Sequence, residues 1–340
     1  MKKLLLLLTI ILSISSLSGQ TTNGPINKST ILFTQESAAT PFNYDKYKSD
    51  GVFWGFMPNA SIASDAAMNQ WASKVKRHTS DSKYFFGRGE FDWGWKWMID
   101  FMDDPELYWA KNLNGDAIEW GNAADSGGVY KGYTHSWMSH QGPEFLAWLK
   151  YQVDRMTLAP VTHMMFDSQT SSTRTLHWLG GDFSIPSMNG FREYMRKKYT
   201  PQELINLGIN NINNFNYRQF LINRGFTLQS YRAQANSING NIPLYKDFVY
   251  FQRQSLNDTM EELFEYIDIK RPGIQIGATT NVVEPRGYIF SDRLTYLAGE
   301  YGHPHEAATS PSTEPLLHYK AAEALDKTLI YFPYPDAFKA

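Results

Sequence analysis

Seven short apolar runs, spaced so that several of the intervals can hold a helix, limit what this chain of 340 residues can fold into. In order they are Thr30-Ile-Leu-Phe-Thr-Gln35, Gly51-Val-Phe-Trp-Gly-Phe-Met57, Lys83-Tyr-Phe-Phe-Gly-Arg-Gly-Glu90, Val161-Thr-His-Met-Met-Phe-Asp-Ser-Gln169, Ile274-Gln-Ile-Gly-Ala-Thr-Thr-Asn281, Leu294-Thr-Tyr-Leu-Ala-Gly-Glu300 and Thr328-Leu-Ile-Tyr-Phe332. Each has the length of a strand rather than of a helix. Between the second and third, Ser64-Asp65 can cap a helix reaching about His78 with Met68, Trp71, Ala72 and Val75 on one face. Strand, helix and strand in that order make a βαβ unit.

The intervals further along are longer. Pro143 opens a helix with Phe145, Leu146, Leu149, Val153 and Met156 inward, and the helix leads into the fourth run. Residues 188–199 are amphipathic, Thr200-Pro-Gln-Glu203 is a capping box, and Gly208 ends the helix it starts. An Asn-dense stretch, 209–242, reads as an insertion of short helices and turns. A long helix follows from about Leu244 to Lys270, stopped by Arg271-Pro-Gly273, and another covers Pro315 to about Leu325. Residues 91–142 differ from all of these. Six tryptophans sit there among Gly, Asn and Asp with little periodicity, and Asn114-Gly115 marks a turn. We expect a long aromatic-rich loop after strand 3, lying over the end of the sheet.

Strands alternating with helices define the expected class: α/β, a (β/α)8 TIM barrel over residues 30–340. Seven strands are found and an eighth is expected, so the sequence implies either a missed strand or a chain that stops before its barrel closes. Ahead of the barrel, residues 1–19 have the build of a signal peptide: Lys2 and Lys3, an apolar core from Leu4 to Leu12, then small residues. That core is shorter than the roughly 20 residues of a membrane span. Residues 20–29 form a polar, flexible leader. A secreted or periplasmic protein with no membrane anchorage after cleavage is expected. No cysteine is present, which excludes a disulfide framework. A net charge of −2 without basic runs argues against nucleic acid.

Barrels keep their chemistry at the C-terminal ends of the strands. Two carboxylates directly end apolar runs, Asp167 in HMMFDSQ and Glu300 in TYLAGEYGH. Glycosidic hydrolysis needs such a pair, one to protonate the departing oxygen and one to attack carbon or activate water. Separations of about 5–5.5 Å give retention and about 6.5–9.5 Å inversion. We take Asp167 as nucleophile or base and Glu300 as acid. The competing account makes each a rim salt bridge or helix cap. Around them, Arg88, Glu90 and Asp92 after strand 3, Gln169 after strand 4, Asn281 after strand 5, and Tyr301 and His303 after strand 6 are candidate substrate-binding residues. Aromatic residues make up 15% of the chain, and Trp93, Trp95, Trp120 and Trp137 are candidates for stacking on sugar rings. His303-Pro-His305-Glu306 lacks the partners of a metal site, and no phosphate-binding loop or nucleophile elbow occurs. Neither metal nor cofactor is expected, and the expected partner is a carbohydrate substrate.

The pieces FGRGEFDWG, DPELYWAKNLNGDAIEWG, MMFDSQ, GGDFSIPSMNGFREYMRKKYTPQEL, IQIGATTN and LAGEYG resemble, in order, bacterial (β/α)8 glycoside hydrolases of the β-galactosidase-like kind. The resemblance covers about residues 80–338. It implies hydrolysis of glycosidic bonds in a polysaccharide without a cofactor. The departure lies after strand 4, where those families carry Asn-Glu and this chain has Phe166-Asp167-Ser168. An Asp there is similar to the nucleophile position of α-glycosidase barrels. The alternative to an enzyme is a catalytically silent barrel that binds glycans.

Overall fold

A computed structural model describes residues 32–35, 41–58, 64–80, 83–88, 95–119, 128–166, 181–235, 237, 239–279, 291–301 and 313–333. The expected signal peptide and leader lie outside these residues. Seven strands form one parallel sheet in chain order: β1 (Leu32–Gln35), β2 (Gly51–Phe56), β3 (Tyr84–Arg88), β6 (His163–Phe166), β7 (Gln275–Thr279), β8 (Leu294–Tyr301) and β9 (Thr328–Pro333). All seven expected strands are present. The remaining pair, β4 (Val129–Tyr130) and β5 (Tyr133–Thr134), is a small antiparallel hairpin turned through Lys131 and Gly132, both at positive φ.

Alternation along the strands supplies two apolar faces, as a covered parallel sheet requires. Val52, Phe85, Met164, Phe166, Ile276, Ala278 and Leu297 face a layer of helices. That layer is α2 (Asp65–Ser80), α4 (Pro143–Met156), the later half of α9 (Tyr245–Lys270) and α10 (Thr313–Ala324), which bring Trp71, Trp148, Leu263 and Ala322 among others. Phe53, Phe86, Met165, Tyr296, Ala298 and Ile330 form a separate cluster on the other face. Strands β3 and β8 stand three places apart, which in a flat sheet would separate them by about 14 Å. Yet the Phe86 and Tyr296 rings meet at 5.3 Å between centroids, edge to face. The sheet is therefore curled, a half-barrel whose concave face holds that second cluster. Among the described residues β1 pairs only with β2, and β9 only with β8.

Local signals explain where the helices start and stop. Ser64 accepts from Ala67 N at the head of α2. Pro143 occupies the first turn of α4. Ser184, whose Oγ accepts from Ser187 N, starts α5 (Ile185–Lys198) three residues earlier than the amphipathic pattern alone suggests. Thr200 and Glu203 close the expected capping box on α6 (Pro201–Asn206), and Gly208 leaves it at a φ of 81°. After α9, the Arg271 guanidinium donates to the carbonyls of Ala159 and Val161, which ties the helix end to the approach into β6.

Two helices escape the sequence reading. α1 (Pro41–Tyr47) puts Tyr44 against His78 of α2, their side chains 3.0 Å apart. α3 (Trp95–Phe101) begins the stretch expected as a long loop. Its Met98 and Ile99 enter the main core together with Met102 and Trp109. Beyond it, isolated antiparallel bridges join Trp109 to Met138, Lys111 to Ala117 and Glu119 to Ser136. The turn at Asn114-Gly115 is present, with the Asn112 side chain accepting from Gly115 N and Asp116 N. The described parts of this segment are thus a helix and a small antiparallel patch.

The interval between β6 and β7 carries its own core. α5, α6, α7 (Tyr217–Ile222), α8 (Leu228–Ala235) and the first turns of α9 enclose Phe183, Phe191, Tyr217, Leu221, Tyr231 and Phe248. This is the expected insertion of short helices, and Leu113 of the antiparallel patch plugs into it.

Candidate active site

The C-terminal ends of the seven parallel strands define one rim, and of the chemistry-bearing residues read from the sequence Arg88, Glu300 and Tyr301 end strands there. Arg88 is the last residue of β3, in register with Met165 of β6 and Phe56 of β2. It shares parity with Phe86 and so stands on the concave side, 6% exposed. Gly87 takes the opposite side, where an added Cβ would lie 2.9 Å from Val161 Cγ1. Glu300 and Tyr301 end β8, their backbones paired with Phe332 and Pro333 of β9. Trp95 is the first residue of α3. Trp137 is 8% exposed and packs with Ala110 and Ile118 inside the antiparallel patch, so little of its ring is open to a sugar. Glu90, Asp92, Trp93, Trp120, Asp167, Gln169, Asn281 and His303 lie outside the described residues, as does His305. Asp167 directly follows the last residue of β6, and Glu90 and Asp92 follow β3 within four residues.

Beneath the rim sits a group that the sequence reading passes over. His163, on β6 at the same parity as Met165, stacks on Phe86 with centroids 4.2 Å apart and planes 20° apart. Tyr84 and Tyr296 meet the same imidazole edge-on at 5.4 and 5.7 Å. Its Nδ1 lies 2.9 Å from Thr162 Oγ1, and its Nε2 is buried without a hydrogen-bond partner among the described residues. Burial pushes its pKa down to about 3, so the ring is neutral at physiological pH. Tyr296 reaches across β7 to donate its hydroxyl proton to the Met164 carbonyl, 2.8 Å away. The crossing is possible because β7 has Gly277 there; a Cβ would overlap carbons of the Tyr296 ring. Burial holds the Tyr296 hydroxyl well above the usual phenol range and therefore protonated. The floor of the half-barrel is thus uncharged, aromatic and cross-linked over three strands. The period-two relation of His163, Met165 and Asp167 was the available signal for it.

A second polar centre fixes the insertion beside the antiparallel patch. Asp182 is fully buried just before α5. Its Oδ1 accepts from Lys111 N at 3.1 Å and Ser184 N at 2.9 Å. Its Oδ2 accepts from the hydroxyls of Ser139 and Ser184. Gln252 of α9 donates to the Asp182 carbonyl at 3.3 Å and to Ser187 Oγ. Despite four donors, desolvation dominates and raises the carboxyl pKa. Among the described residues no group of three or more His, Asp or Glu is placed to hold a metal ion.

A curled parallel sheet with helices outside and polar residues ending its strands is the frame of a (β/α) barrel. Among solved structures, a β-galactosidase from the psychrophilic Marinomonas ef1 matches with a TM-score of 0.50 over 80% of this chain and 40% of that one, at 9% identity. That likeness is of fold. Sequence similarity points to a narrower group. The chain is 36% identical over 320 residues, 93% of its length, to an alpha-agarase of Thalassotalea agarivorans. It is 38% identical over 299 residues, 87% of its length, to an alpha-agarase of Alteromonas agarilytica. It spans 22% and 21% of those two proteins, about a fifth of each. No family model matches the chain. The resemblance to glycoside hydrolases read from the sequence agrees with both comparisons.

Proposed function

We propose that this chain is a secreted glycoside hydrolase acting on an agar-type galactan. The observation that carries the reading is the 36–38% identity to two alpha-agarases over nearly the whole chain. The half-barrel supports the reading. β8 keeps Tyr296 and Ala298 on the concave face and ends at Glu300-Tyr301. In β6, His163 and Met165 share the concave face, and Asp167 is the next residue in sequence after the strand. The neutral aromatic floor lies beneath the strand ends from which these two residues follow in sequence. In this reading Glu300 protonates the departing sugar oxygen, and Asp167 attacks the anomeric carbon or activates the water that does. Arg88 binds substrate hydroxyls beside them. The floor excludes water from below, which strengthens charge interactions at the mouth.

Turnover of agarose and its oligosaccharides by the purified protein tests the reading. Asp167→Asn and Glu300→Gln are each expected to lower kcat by about 10²-fold or more, with oligosaccharide binding retained. Near-normal turnover in both variants would sink the assignment. The fifth of each relative that this chain spans favours one other reading, a glycan-binding barrel whose catalytic partner lies elsewhere in the longer proteins. It forecasts agarose affinity with no turnover, and no change in either variant.

A further inference from the structure

The insertion carries an aromatic and polar group on its outer surface that the barrel reading leaves unused. Lys198, at the end of α5, donates to Asp247 of α9 and to the Tyr194 hydroxyl. Three tyrosine rings surround its ammonium, Tyr194 and Tyr199 at 5.3 Å and Tyr250 at 5.9 Å to the centroids. Tyr199 in turn donates its hydroxyl proton to Asp247 at 3.1 Å. Tyr250 is the outermost ring. It is 58% exposed and lies 6.2 Å from Tyr194 between centroids.

We propose that Tyr194, Tyr250, Lys198 and Asp247 form a surface platform that binds a neutral polysaccharide chain outside the barrel. Charge narrows the ligand. The ammonium and the carboxylate already compensate one another, so a charged ligand on the platform would face one matching and one opposing group. A neutral, hydroxyl-rich molecule meets no such conflict. Its C–H faces can lie on the exposed Tyr250 ring, a contact that buries apolar surface while the ring edge keeps its hydroxyl in water. Its hydroxyls find the third ammonium proton of Lys198, unused by Asp247 and Tyr194, and the Asp247 oxygens. All four side chains stand on or beside helices and hold each other in place, so little ordering is lost on binding.

Topology separates this platform from the half-barrel. α9 ends where the chain returns to the start of β7, so its opposite end, with Asp247 and Tyr250, lies toward the rim. A galactan held there would extend beyond any single sugar-binding position at the barrel mouth. In naming a galactan, the inference rests on the proposed function; the platform itself rests on the tyrosines.

The test is affinity electrophoresis of the full chain through native gels with and without agarose, with dextran as the control polymer. Retardation by agarose is expected to fall about tenfold in Tyr194→Ala/Tyr250→Ala and to persist in Tyr250→Phe and Glu300→Gln. Turnover of short agarose oligosaccharides is expected to stay at the wild-type level in the double variant. Unchanged retardation in a folded double variant overturns the platform, as does a wild-type chain that agarose does not retard. Tyrosine-dependent retardation in a protein that hydrolyses no galactan leaves the platform standing and removes the hydrolase reading.

Discussion

Removing the Asp182 carboxylate should separate two properties of a buried acid, its role as acceptor and its charge. In Asp182→Ala the Ser184 hydroxyl can turn its proton to Ser139 Oγ, 3.1 Å away, and the Ser139 hydroxyl can rotate toward another acceptor. The amides of Lys111 and Ser184 cannot, since both donate to Oδ1. Two orphaned buried donors at about 1–3 kcal/mol each give a loss of about 2–6 kcal/mol. Against a total stability of about 5–15 kcal/mol, that is a large fraction. Asp182→Asn should behave differently. Its carbonyl oxygen can keep both amides, and its NH2 can donate to the two hydroxyls once they rotate. A change within about 1 kcal/mol is expected near neutral pH. The sign of the pH dependence follows from burial. Because the folded-state pKa is raised, the folded protein holds this proton where the unfolded chain releases it. Stability from this site is therefore complete below the unfolded carboxyl pKa and declines as pH rises through the folded one. Urea denaturation of wild type and both variants across pH 4–8 provides the measurement. Asp182→Asn should gain on wild type as pH rises. A loss below about 0.5 kcal/mol in Asp182→Ala, or a wild type that gains on Asp182→Asn as pH rises, would refute the reasoning.

Two further outcomes concern the floor. Gly277→Ala should force the Tyr296 ring off the Met164 carbonyl and cost about 2–4 kcal/mol by overpacking and a lost bond, whereas Tyr296→Phe should cost about 1 kcal/mol. Additive losses in the double variant, measured by denaturation, would show that the two residues do not share one contact. His163 has its folded pKa lowered to about 3 from 6.5, so its contribution is whole above 6.5 and fades as pH falls toward 3. The slope should approach about 1.4 kcal/mol per pH unit within that window. His163→Leu should remove the slope without loss at pH 7, and an unchanged acid profile in that variant would mean the imidazole is not the titrating group.

The strands were legible because each is a compact apolar run bounded by polar or turn residues, and each forms within two or three residues of its expected bounds. The Thr200–Glu203 box was legible for a similar reason: its partners are three residues apart. α3 was not. Trp95-Lys-Trp-Met-Ile-Asp-Phe101 is apolar on more than one side and follows a glycine, so no amphipathic stripe distinguishes it from an aromatic loop. α1 is only Pro41–Tyr47 and hides behind the same shortness. At the candidate site, the strand ends were readable and the environments beneath them were not. Asp167 and Glu300 announce themselves by ending apolar runs. The stacking of His163 on Phe86, the crossing of Tyr296 over Gly277, and the joining of Ser139 to Asp182 all link residues far apart in sequence. No local pattern encodes such partners.

The 26-residue helix α9 has one further consequence. Phe248 and Phe251 near its start belong to the insertion core, while Leu256 through Ile267 belong to the barrel wall. One unbroken rod of about 39 Å therefore serves both. Such a rod acts as a lever. From the outer end, where Tyr250 stands, the helix runs without a break through the wall contacts to the Arg271 clasp ahead of β6. If a polymer tugs on the insertion, the wall contacts from Leu256 to Ile267 and the Arg271 clasp ahead of β6 take up the load together.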